Sequence, residues 1–267
     1  MKDEKFELAQ QLSSKYYTLL SEVNINETVI DVFQDKLHLY NEDKYSTYRE
    51  FVNNFLLSNY PNEVSIKSTF LNNVLFKEHN HVSIFELNVG KSRLDLCKLG
   101  RFSTAFEIKT ELDTPKRLKQ QLDDYFKVFE YVFVICSVNN VDSILPYLPE
   151  SCGIYTYHTT LSKRYIFKKT KKAIKSDKIQ SYDQLSILTK LDLINYFDCF
   201  YSESKEEMIN FVINSHSSQK INIKFKLCIK NKYESKWRFL SENRSEIFEI
   251  DYQWFFKNTL SPKVVYL

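Results

Sequence analysis

Glycine and proline are scarce in this sequence, which has only 3 Gly and 5 Pro among its 267 residues. This scarcity argues against a loop-rich all-β fold and against a dinucleotide-binding glycine loop. No apolar run approaches the roughly 18 residues that a membrane span requires, and the charged start MKDEKFELAQ lacks the apolar core of a signal peptide. We therefore expect a cytoplasmic protein with no membrane partner.

Cysteine is also sparse: the five cysteines are widely spaced, odd in number and without a CxxC pair. This pattern predicts reduced thiols rather than a disulfide framework or a zinc ribbon. The formal net charge is only +3, so a surface that binds nucleic acid would have to be local. Neither a GxSxG nor a GxxxxGKS/T motif occurs, which leaves serine hydrolases and P-loop NTPases without support.

Hydrophobic residues make up 43% of the chain and aromatic residues 15%, which is ample material for a core. Apolar residues recur at helical spacing at both ends of the chain, whereas the middle contains runs with a period of two. We therefore predict an α/β protein with three parts. They are an N-terminal helical region at 1–60, an α/β core at 61–167 and a mainly helical C-terminal region at 168–267.

The predicted core begins with a helix and continues with strands. Pro61 and Asn62 suit the entry of a helix, and Glu63 suits its positive N-terminal end. Three alternating runs then predict strands up to residue 110, with Gly100 in a tight turn between the second and third strands. An amphipathic helix follows, and the continuous apolar run 131–136 predicts a strand covered on both faces.

Charged residues fall on shared strand faces in this prediction. Asp95 lies on the second strand with Arg93, and Glu107 lies on the third strand with Lys109. Adjacent strands are about 4.8 Å apart, so Asp95 and Glu107 can share one divalent cation. That cation would offset the repulsion between the two carboxylates, and a water bound to it could attack a phosphodiester. Glu86, on the first strand, is a further candidate ligand.

Lys109 would orient the attacking water or hold the phosphate as a point charge. Taken alone, Glu107 and Lys109 fit a solvated strand face better than a catalytic site, since charged residues are mostly exposed. The neighbouring Asp95 strand and the helix that follows favour the catalytic interpretation.

The motifs around these residues occur in a defined order. The sequence reads SRLD at 92–95, FEIKTELDT at 106–114 and RL at 117–118, followed by Gln121 and Tyr125. This layout resembles the PD-(D/E)xK nuclease superfamily, and in particular a group of largely uncharacterised bacterial restriction-endonuclease-like proteins. One departure is Leu94, which occupies the place of the proline in the superfamily's name.

The resemblance implies a restriction-endonuclease-like αβββαβ core with a mixed sheet, and phosphodiester cleavage that depends on Mg²⁺ or Mn²⁺. It makes Asp95, Glu107 and the backbone carbonyl of Ile108 the metal ligands. It makes Lys109 the catalytic lysine.

The resemblance also indicates auxiliary positions. Gln121 matches a glutamine that supports the site in several branches of the superfamily, so we include it among the catalytic candidates. Glu63 matches an acidic position that some branches add to the metal site, and Glu86 competes for that role. Tyr125, one helical turn after Gln121, fits a core position better than a direct contact with the site.

A basic segment, residues 163–178, carries eight Lys and Arg side chains against the single acidic residue Asp177. It could grip a nucleic-acid backbone with steeply salt-dependent affinity, or it could form a solvated linker. The candidate nucleic-acid-binding residues are Arg93, Arg117, Lys163, Arg164, Lys168, Lys169, Lys171 and Lys172.

These observations together predict a Mg²⁺-dependent endonuclease that acts on DNA, with RNA an open alternative, in restriction, phage defence, mobile-element biology or repair. One alternative is a catalytically silent nucleic-acid-binding module on the same scaffold. Another is a protein-interaction module in which the helical flanks do the work. The flanks are the expected surfaces for a homodimer or for a protein partner.

Overall fold

The computed structural model describes residues 4–40, 44–160 and 164–266. The N-terminal part is helical, as the apolar spacing predicts. It contains α1 (Glu4–Lys15), α2 (Glu22–Phe33), a 3-10 helix (Gln34–Tyr40) and α3 (Tyr48–Asn59). Side-chain oxygens cap two of these helices, because Ser21 accepts a hydrogen bond from the Asn24 backbone and Thr47 accepts one from the Glu50 backbone.

The central part combines two helices and a six-stranded sheet. In chain order its main elements are α4 (Glu63–Asn73), β1 (Val82–Val89), β2 (Ser92–Leu99), β3 (Ser103–Lys109), α5 (Leu118–Phe126), β4 (Tyr131–Ser137), β5 (Gly153–Thr159) and β6 (Tyr165–Lys171). A single helical turn, α6 (Val141–Ile144), lies between β4 and β5. The order from α4 to β4 is αβββαβ, which confirms the predicted fold class.

The sheet is mixed, and its strands lie in chain order from β1 to β6. β1, β2 and β3 are antiparallel, β3, β4 and β5 are parallel, and β5 and β6 are antiparallel. Parallel neighbours need a crossover, and α5 supplies it between β3 and β4. β4 is buried along almost its whole length, as its continuous apolar sequence predicts.

The prediction of a glycine turn between the second and third strands is wrong in its detail. β2 and β3 are joined by residues 100–102, where the Gly100 N–H donates to the Phe102 carbonyl, and the φ angle of Gly100 is not in the left-handed region. The left-handed glycine is instead Gly90, with φ of 57°, in the two-residue turn between β1 and β2. A two-residue turn requires positive φ, whereas a three-residue connection relieves Gly100 of that requirement.

The helices α4 and α5 cover opposite faces of the sheet. Phe70 of α4 packs against Phe106 of β3, with ring centroids 5.2 Å apart, whereas Tyr125 of α5 hydrogen-bonds to the side chain of Glu107. Because Phe106 and Glu107 are consecutive in one strand, their side chains point to opposite faces. The sheet is therefore a layer between helices, with its apolar residues buried on both sides.

The C-terminal part adds helices that share the hydrophobic core of the sheet. They are α7 (Ser181–Ile187), α8 (Lys190–Phe197), α9 (Lys205–Ser215), α10 (Ser218–Asn243), α11 (Tyr252–Asn258) and α12 (Pro262–Val265). α7 and α8 are separate helices, because Thr189 forms a capping box with Asp192 and starts a new helix. Even α10, at 26 residues, lacks an apolar stretch that could cross a membrane, as does every other helix within the described ranges.

The N-terminal helices form a second cluster of buried residues, and a polar network joins them to the C-terminal part. The carboxylate of Asp251 accepts hydrogen bonds from the hydroxyls of Tyr16, Thr18 and Tyr266 at 2.8 to 2.9 Å. Arg49 approaches the same carboxylate at 3.8 Å. Burial raises the pKa of Asp251, while its hydrogen bonds and Arg49 act in the opposite direction. The three-part division of the chain itself stays a prediction.

The turn at Gly90 gives a test of this fold. An alanine Cβ there would lie 3.1 Å from the carboxyl group of Asp124 on α5, in a left-handed backbone conformation. We expect Gly90→Ala to lower the free energy of unfolding by about 1–2 kcal/mol, and Gly90→Asn to lower it less because asparagine tolerates that conformation better. Urea unfolding of both variants measures the difference. Equal losses in the two variants would show that the contact with Asp124, and not the φ angle, sets the cost.

Candidate metal centre

Three carboxylate-bearing positions form one row across β1, β2 and β3. The ladder of β1 with β2 pairs Phe85 with Leu96 and Leu87 with Leu94, and Glu86 and Asp95 lie between these pairs on their two strands. In the register of β2 with β3, the ladder ends at the pair Leu96 and Phe106, and the next position sets Asp95 opposite Glu107. The alternation of the sequence therefore brings the predicted acids to adjacent strands, as expected.

The two strands that carry Asp95 and Glu107 part at this point. The Asp95 carboxylate accepts a hydrogen bond of 2.7 Å from the Ile108 backbone N–H. The Tyr125 hydroxyl, which donates its single proton to Glu107, lies 3.1 Å from the Arg93 carbonyl. A side chain thus satisfies a backbone N–H that a continuing ladder would otherwise pair. The Asp95 carboxylate is held between the strands, beside the backbone of Ile108. The predicted role of the Ile108 carbonyl as a ligand stays a prediction.

Glu63, Glu86 and Asp95 form an acidic cluster that could hold a metal ion. Each offers a carboxylate oxygen, and these oxygens lie within 4.8 Å of one another. Glu63 reaches the cluster because it is the first residue of α4, whose N-terminus is capped by the Asn62 side chain. The two rival candidates for the auxiliary acid, Glu63 and Glu86, therefore both belong to this cluster.

The backbone of Glu86 is in the left-handed region, with φ of 56°. This conformation costs a non-glycine residue about 1–2 kcal/mol, and such strain concentrates at functional sites. It accompanies two close ion pairs, in which the Glu86 carboxylate is 2.6 Å from the Lys67 ammonium and 2.6 Å from Nε of Arg93. No feature of the alternating sequence indicates this change in the strand.

Lys67 is a buried lysine that sequence reasoning missed. Its ammonium lies 2.6 Å from both Glu63 and Glu86, and it donates at 3.0 Å to the Gln253 side chain. Burial lowers the pKa of Lys67, but the charges of Glu63, Asp95 and Glu86 outweigh it and the net shift is upward. The ammonium is therefore the resident counter-charge of the cluster. The spacing of four residues from Glu63 on one helix was the available signal.

Glu107 is held by two donors. Its carboxylate accepts 2.8 Å hydrogen bonds from the Lys109 ammonium and from the Tyr125 hydroxyl. Burial raises the pKa of Glu107, although the charge and hydrogen bond of Lys109 and the bond from Tyr125 oppose that shift. Tyr125 is fully buried, so the core interpretation of this residue is right, but its hydroxyl also contacts the site.

Gln121 lies one turn before Tyr125 on α5 and faces the same region. Its side-chain hydrogen bond lowers the pKa of Tyr125 slightly against the larger upward effect of burial. Its Oε1 is buried and has no hydrogen-bond partner within the described part of the chain. An unpaired buried acceptor is unusual, so this atom is available to a water or a substrate group. The catalytic role of Gln121 stays a prediction.

Without a bound cation, the buried carboxyl group of Asp95 loses its proton less readily than an ordinary carboxyl group. Burial raises the pKa of Asp95 well above its usual range, and the charges of Glu107 and Glu63 raise it further, against the effects of Lys67 and the Ile108 N–H. An all-oxygen donor set of this kind suits a hard divalent cation, which would relieve the repulsion. The residues present therefore fit a metal ion.

The predicted nucleic-acid-binding residues do not form one surface. Arg93 is bound to Glu86, and Arg117 is exposed just before α5. Arg164 precedes β6, and Lys172 follows it. Lys168, Lys169 and Lys171 lie on β6 itself, at the opposite edge of the sheet from β1. Lys163 lies outside the described residues.

Comparisons with known proteins give one family and two distant structures. The family described as Bacteriophage P4 protein cII matches residues 57–253, a range that begins before α4 and contains every carboxylate of the site. No curated protein matches the chain.

The first similar structure is that of the SPO1766 protein of unknown function from Silicibacter pomeroyi, with 14% identity over 57% of this chain and 86% of that chain and a TM-score of 0.30. The second is that of Pyrococcus furiosus SfsA in complex with Ca²⁺, with 13% identity over 42% of this chain and 63% of that chain and a TM-score of 0.30. At these scores neither structure supports an argument about this chain.

The upward shift of the Asp95 pKa predicts a pH effect on stability. The folded protein holds this proton more tightly than the unfolded chain, so metal-free stability falls as pH rises above the usual carboxyl range. Asp95→Asn removes that loss, and its amide oxygen can still accept from Ile108. In EDTA at pH 8 we expect the variant to melt about 2–4 °C above the wild type, equivalent to about 1 kcal/mol at this chain length.

Thermal unfolding followed by circular dichroism from pH 5 to pH 8 measures this effect, and the advantage of Asp95→Asn should shrink toward pH 5. The exposed Asp177 provides a control, since Asp177→Asn should leave the melting temperature unchanged. A variant Asp95→Asn that melts below the wild type at every pH would contradict the electrostatic account.

Proposed function

The chain belongs to the Bacteriophage P4 protein cII family, and from its carboxylate and lysine cluster we propose that it is a divalent-cation-dependent nuclease that cuts DNA. One observation carries the proposal. Asp95 and Glu107 come from neighbouring strands at the point where the ladder between them ends, and the charge of Glu107 raises the pKa of Asp95. Lys109 pairs with Glu107, and Glu63 and Glu86 lie beside Asp95. A purely structural protein gains nothing from burying carboxylates that repel one another.

The resemblance to the PD-(D/E)xK superfamily supports this function. The αβββαβ order of the core agrees with the fold that the resemblance implies. Asp95 on β2, together with Glu107 and Lys109 on β3, occupies the motif positions. The proline that the superfamily's name implies is absent, and Leu94 in its place is fully buried. The replacement of that proline by leucine therefore changes packing rather than the polar groups of the site.

We propose that Asp95, Glu86 and Glu63 hold Mg²⁺ or Mn²⁺ with carboxylate oxygens. Glu107 lies outside this cluster of three, and its role as a ligand stays a prediction. A bound divalent cation would supply charge stabilisation to the phosphate and lower the pKa of an attacking water. Lys67 already neutralises Glu63 and Glu86, so its ammonium must share these oxygens with the cation or move aside. Lys67 thus sets how tightly the site takes a cation, because a positive charge disfavours a second one nearby.

Lys109 is the proposed catalytic residue that acts directly on the water or the phosphate. Its ammonium nitrogen lies 2.8 Å from a Glu107 carboxylate oxygen, and only 11% of the side chain is exposed. The charge is therefore held within the site rather than in bulk solvent. Tyr125 is a positioning residue, because its hydroxyl fixes the second oxygen of Glu107. The free Oε1 of Gln121 can accept a hydrogen bond from the same water.

The first test is cleavage by variants of Lys109. With Mg²⁺ or Mn²⁺ and a panel of duplex, single-stranded and branched DNA and RNA, we expect the wild type to cut DNA and EDTA to abolish the cutting. Lys109→Ala should lower the rate by about 10²-fold or more, since charge stabilisation in an active site is worth this much. Lys119, an exposed lysine on α5, provides the matched control, and Lys119→Ala should cut as the wild type does.

The results separate the hypotheses. If Lys109→Ala cuts at the wild-type rate, that lysine is not catalytic. If the wild type cuts no member of the panel with either metal, yet binds DNA with an affinity that falls steeply with salt, the silent binding module replaces the nuclease. If RNA is cut and DNA is not, the substrate is RNA, and the proposed catalytic residues remain the same.

The second test measures the cation directly. Isothermal titration of Mn²⁺ into the protein should give binding that weakens about 10-fold or more in Asp95→Asn, because the site loses one of its anionic ligands. Glu63→Gln and Glu86→Gln, measured in parallel, separate the two auxiliary acids. Asp177→Asn is the control. Binding that none of the three site variants weakens would place the cation elsewhere.

A further inference from the structure

We propose that a cleft on the opposite face of the sheet from Glu107 binds a nucleotide, with an unpaired base against its aromatic rings and a phosphate on its lysines. The cleft has a volume of about 590 Å³ and is lined by residues from β2 through β6 and from the loops around them. This size lies within the range of small-molecule sites. The inference does not rest on nuclease activity.

The cleft and the carboxylate cluster have no residue in common among those that the structure describes. Thr104 and Phe106 of β3 line it, and their side chains point away from the face that Glu107 occupies. Lys98 of β2 and Tyr131 of β4 are the register partners of Thr104 on either side, and both also line the cleft. The floor of the cleft is thus one continuous face of the sheet.

Aromatic rings form much of the wall. Phe102 is 37% exposed and meets Tyr131 edge to face at 5.4 Å, while Phe133 and Tyr155 lie 5.2 Å apart. The ring of Phe133 can lie here because residue 153 is glycine, since a Cβ at Gly153 would be 2.3 Å from that ring. Partly exposed rings are platforms on which nucleic-acid bases stack.

The same walls carry cations without carboxylate partners. Arg101, Lys169 and Lys172 line the cleft, and within the described ranges none of them forms an ion pair with a carboxylate. Lys98 is the exception, because it pairs with Glu78. The Lys169 ammonium lies 5.4 Å from the centre of the Phe133 ring and 5.2 Å from that of Tyr155. With a ring and an ammonium this close together, a nucleotide could stack its base on the ring and place its phosphate on the ammonium.

His81 adds polar groups to the cleft. Both nitrogens of its ring are buried, and within the part of the chain that the structure describes they have no hydrogen-bond partner of good geometry apart from an approach to the His79 backbone. The His81 ring packs against the Trp237 ring, with their centroids 5.3 Å apart. Burial lowers the pKa of His81, so the neutral ring offers one donor and one acceptor. Such a pair can hydrogen-bond to the edge of a base.

The combination identifies the ligand class. Inorganic phosphate would use the lysines but neither the rings nor His81, and an apolar ligand would leave three cations unneutralised. A regular duplex keeps its bases stacked inside and cannot present one to the rings. A free nucleotide and an unpaired nucleotide of a single strand share the required chemistry.

Binding in EDTA tests the proposal, because no cleavage can occur there. Isothermal titration with deoxythymidine and adenosine monophosphates probes free nucleotides, and fluorescence anisotropy with labelled oligo-dT probes a single strand. Inorganic phosphate and a blunt duplex are the comparison ligands. We expect Phe102→Ala and Lys169→Ala each to weaken binding about 5-fold or more, as expected for loss of one stacking contact or charge.

Matched controls are Tyr182→Ala and Lys263→Ala, which alter an exposed ring and an exposed lysine away from the cleft and should bind as the wild type does. Binding of the monophosphates, or of oligo-dT alone, supports the proposal and identifies the source of the nucleotide. Equal binding of phosphate and nucleotide, binding of the duplex alone, or no effect of either cleft variant overturns it.

Discussion

The hydrogen bond between the Asp95 carboxylate and the Ile108 N–H is the contact on which the site depends. It replaces a ladder bond, so β2 and β3 can part while the Ile108 N–H remains paired. Carboxylate oxygens of Glu63 and Glu86 lie within 4.8 Å of one on Asp95, and Glu107 lies on the neighbouring strand. A continuous ladder would pair the Ile108 N–H with the backbone of β2 and leave the Asp95 carboxylate without this donor.

Much of this arrangement could be predicted from the sequence. The change from helical spacing to a period of two gives the order of the core, and the same alternation sets Asp95 and Glu107 on neighbouring strands. Periodicity reports which face a side chain takes, but it does not report where strands separate or twist. The left-handed backbone of Glu86 and the burial of Lys67 arise from contacts between α4 and the sheet, so no local pattern reveals them. Lys168, Lys169 and Lys171 are close in sequence, but β6 points successive side chains to opposite faces at one edge of the sheet.

Lysine ammonium groups offset the repulsion between the carboxylates of the site. Lys67 and Lys109 each hold a carboxylate at short range, and the Tyr125 hydroxyl holds another oxygen of Glu107. The elements that carry these groups are themselves fixed from outside. Asn72 of α4 accepts from the Tyr252 hydroxyl, and Lys67 meets Gln253, so the C-terminal helices brace the helix that supplies Glu63. The flanks therefore contribute to the geometry of the centre.

The network at Asp251 bears on how the protein is made. Tyr16 and Asp251 are 235 positions apart in sequence, and a ribosome delivers the amino end first. The first helices can collapse early, but Arg49 gains its carboxylate only after Asp251 has been synthesised. The buried arginine therefore pairs late, and a nascent chain lacks the contacts of α4 with Tyr252 and Gln253 until those residues have been made.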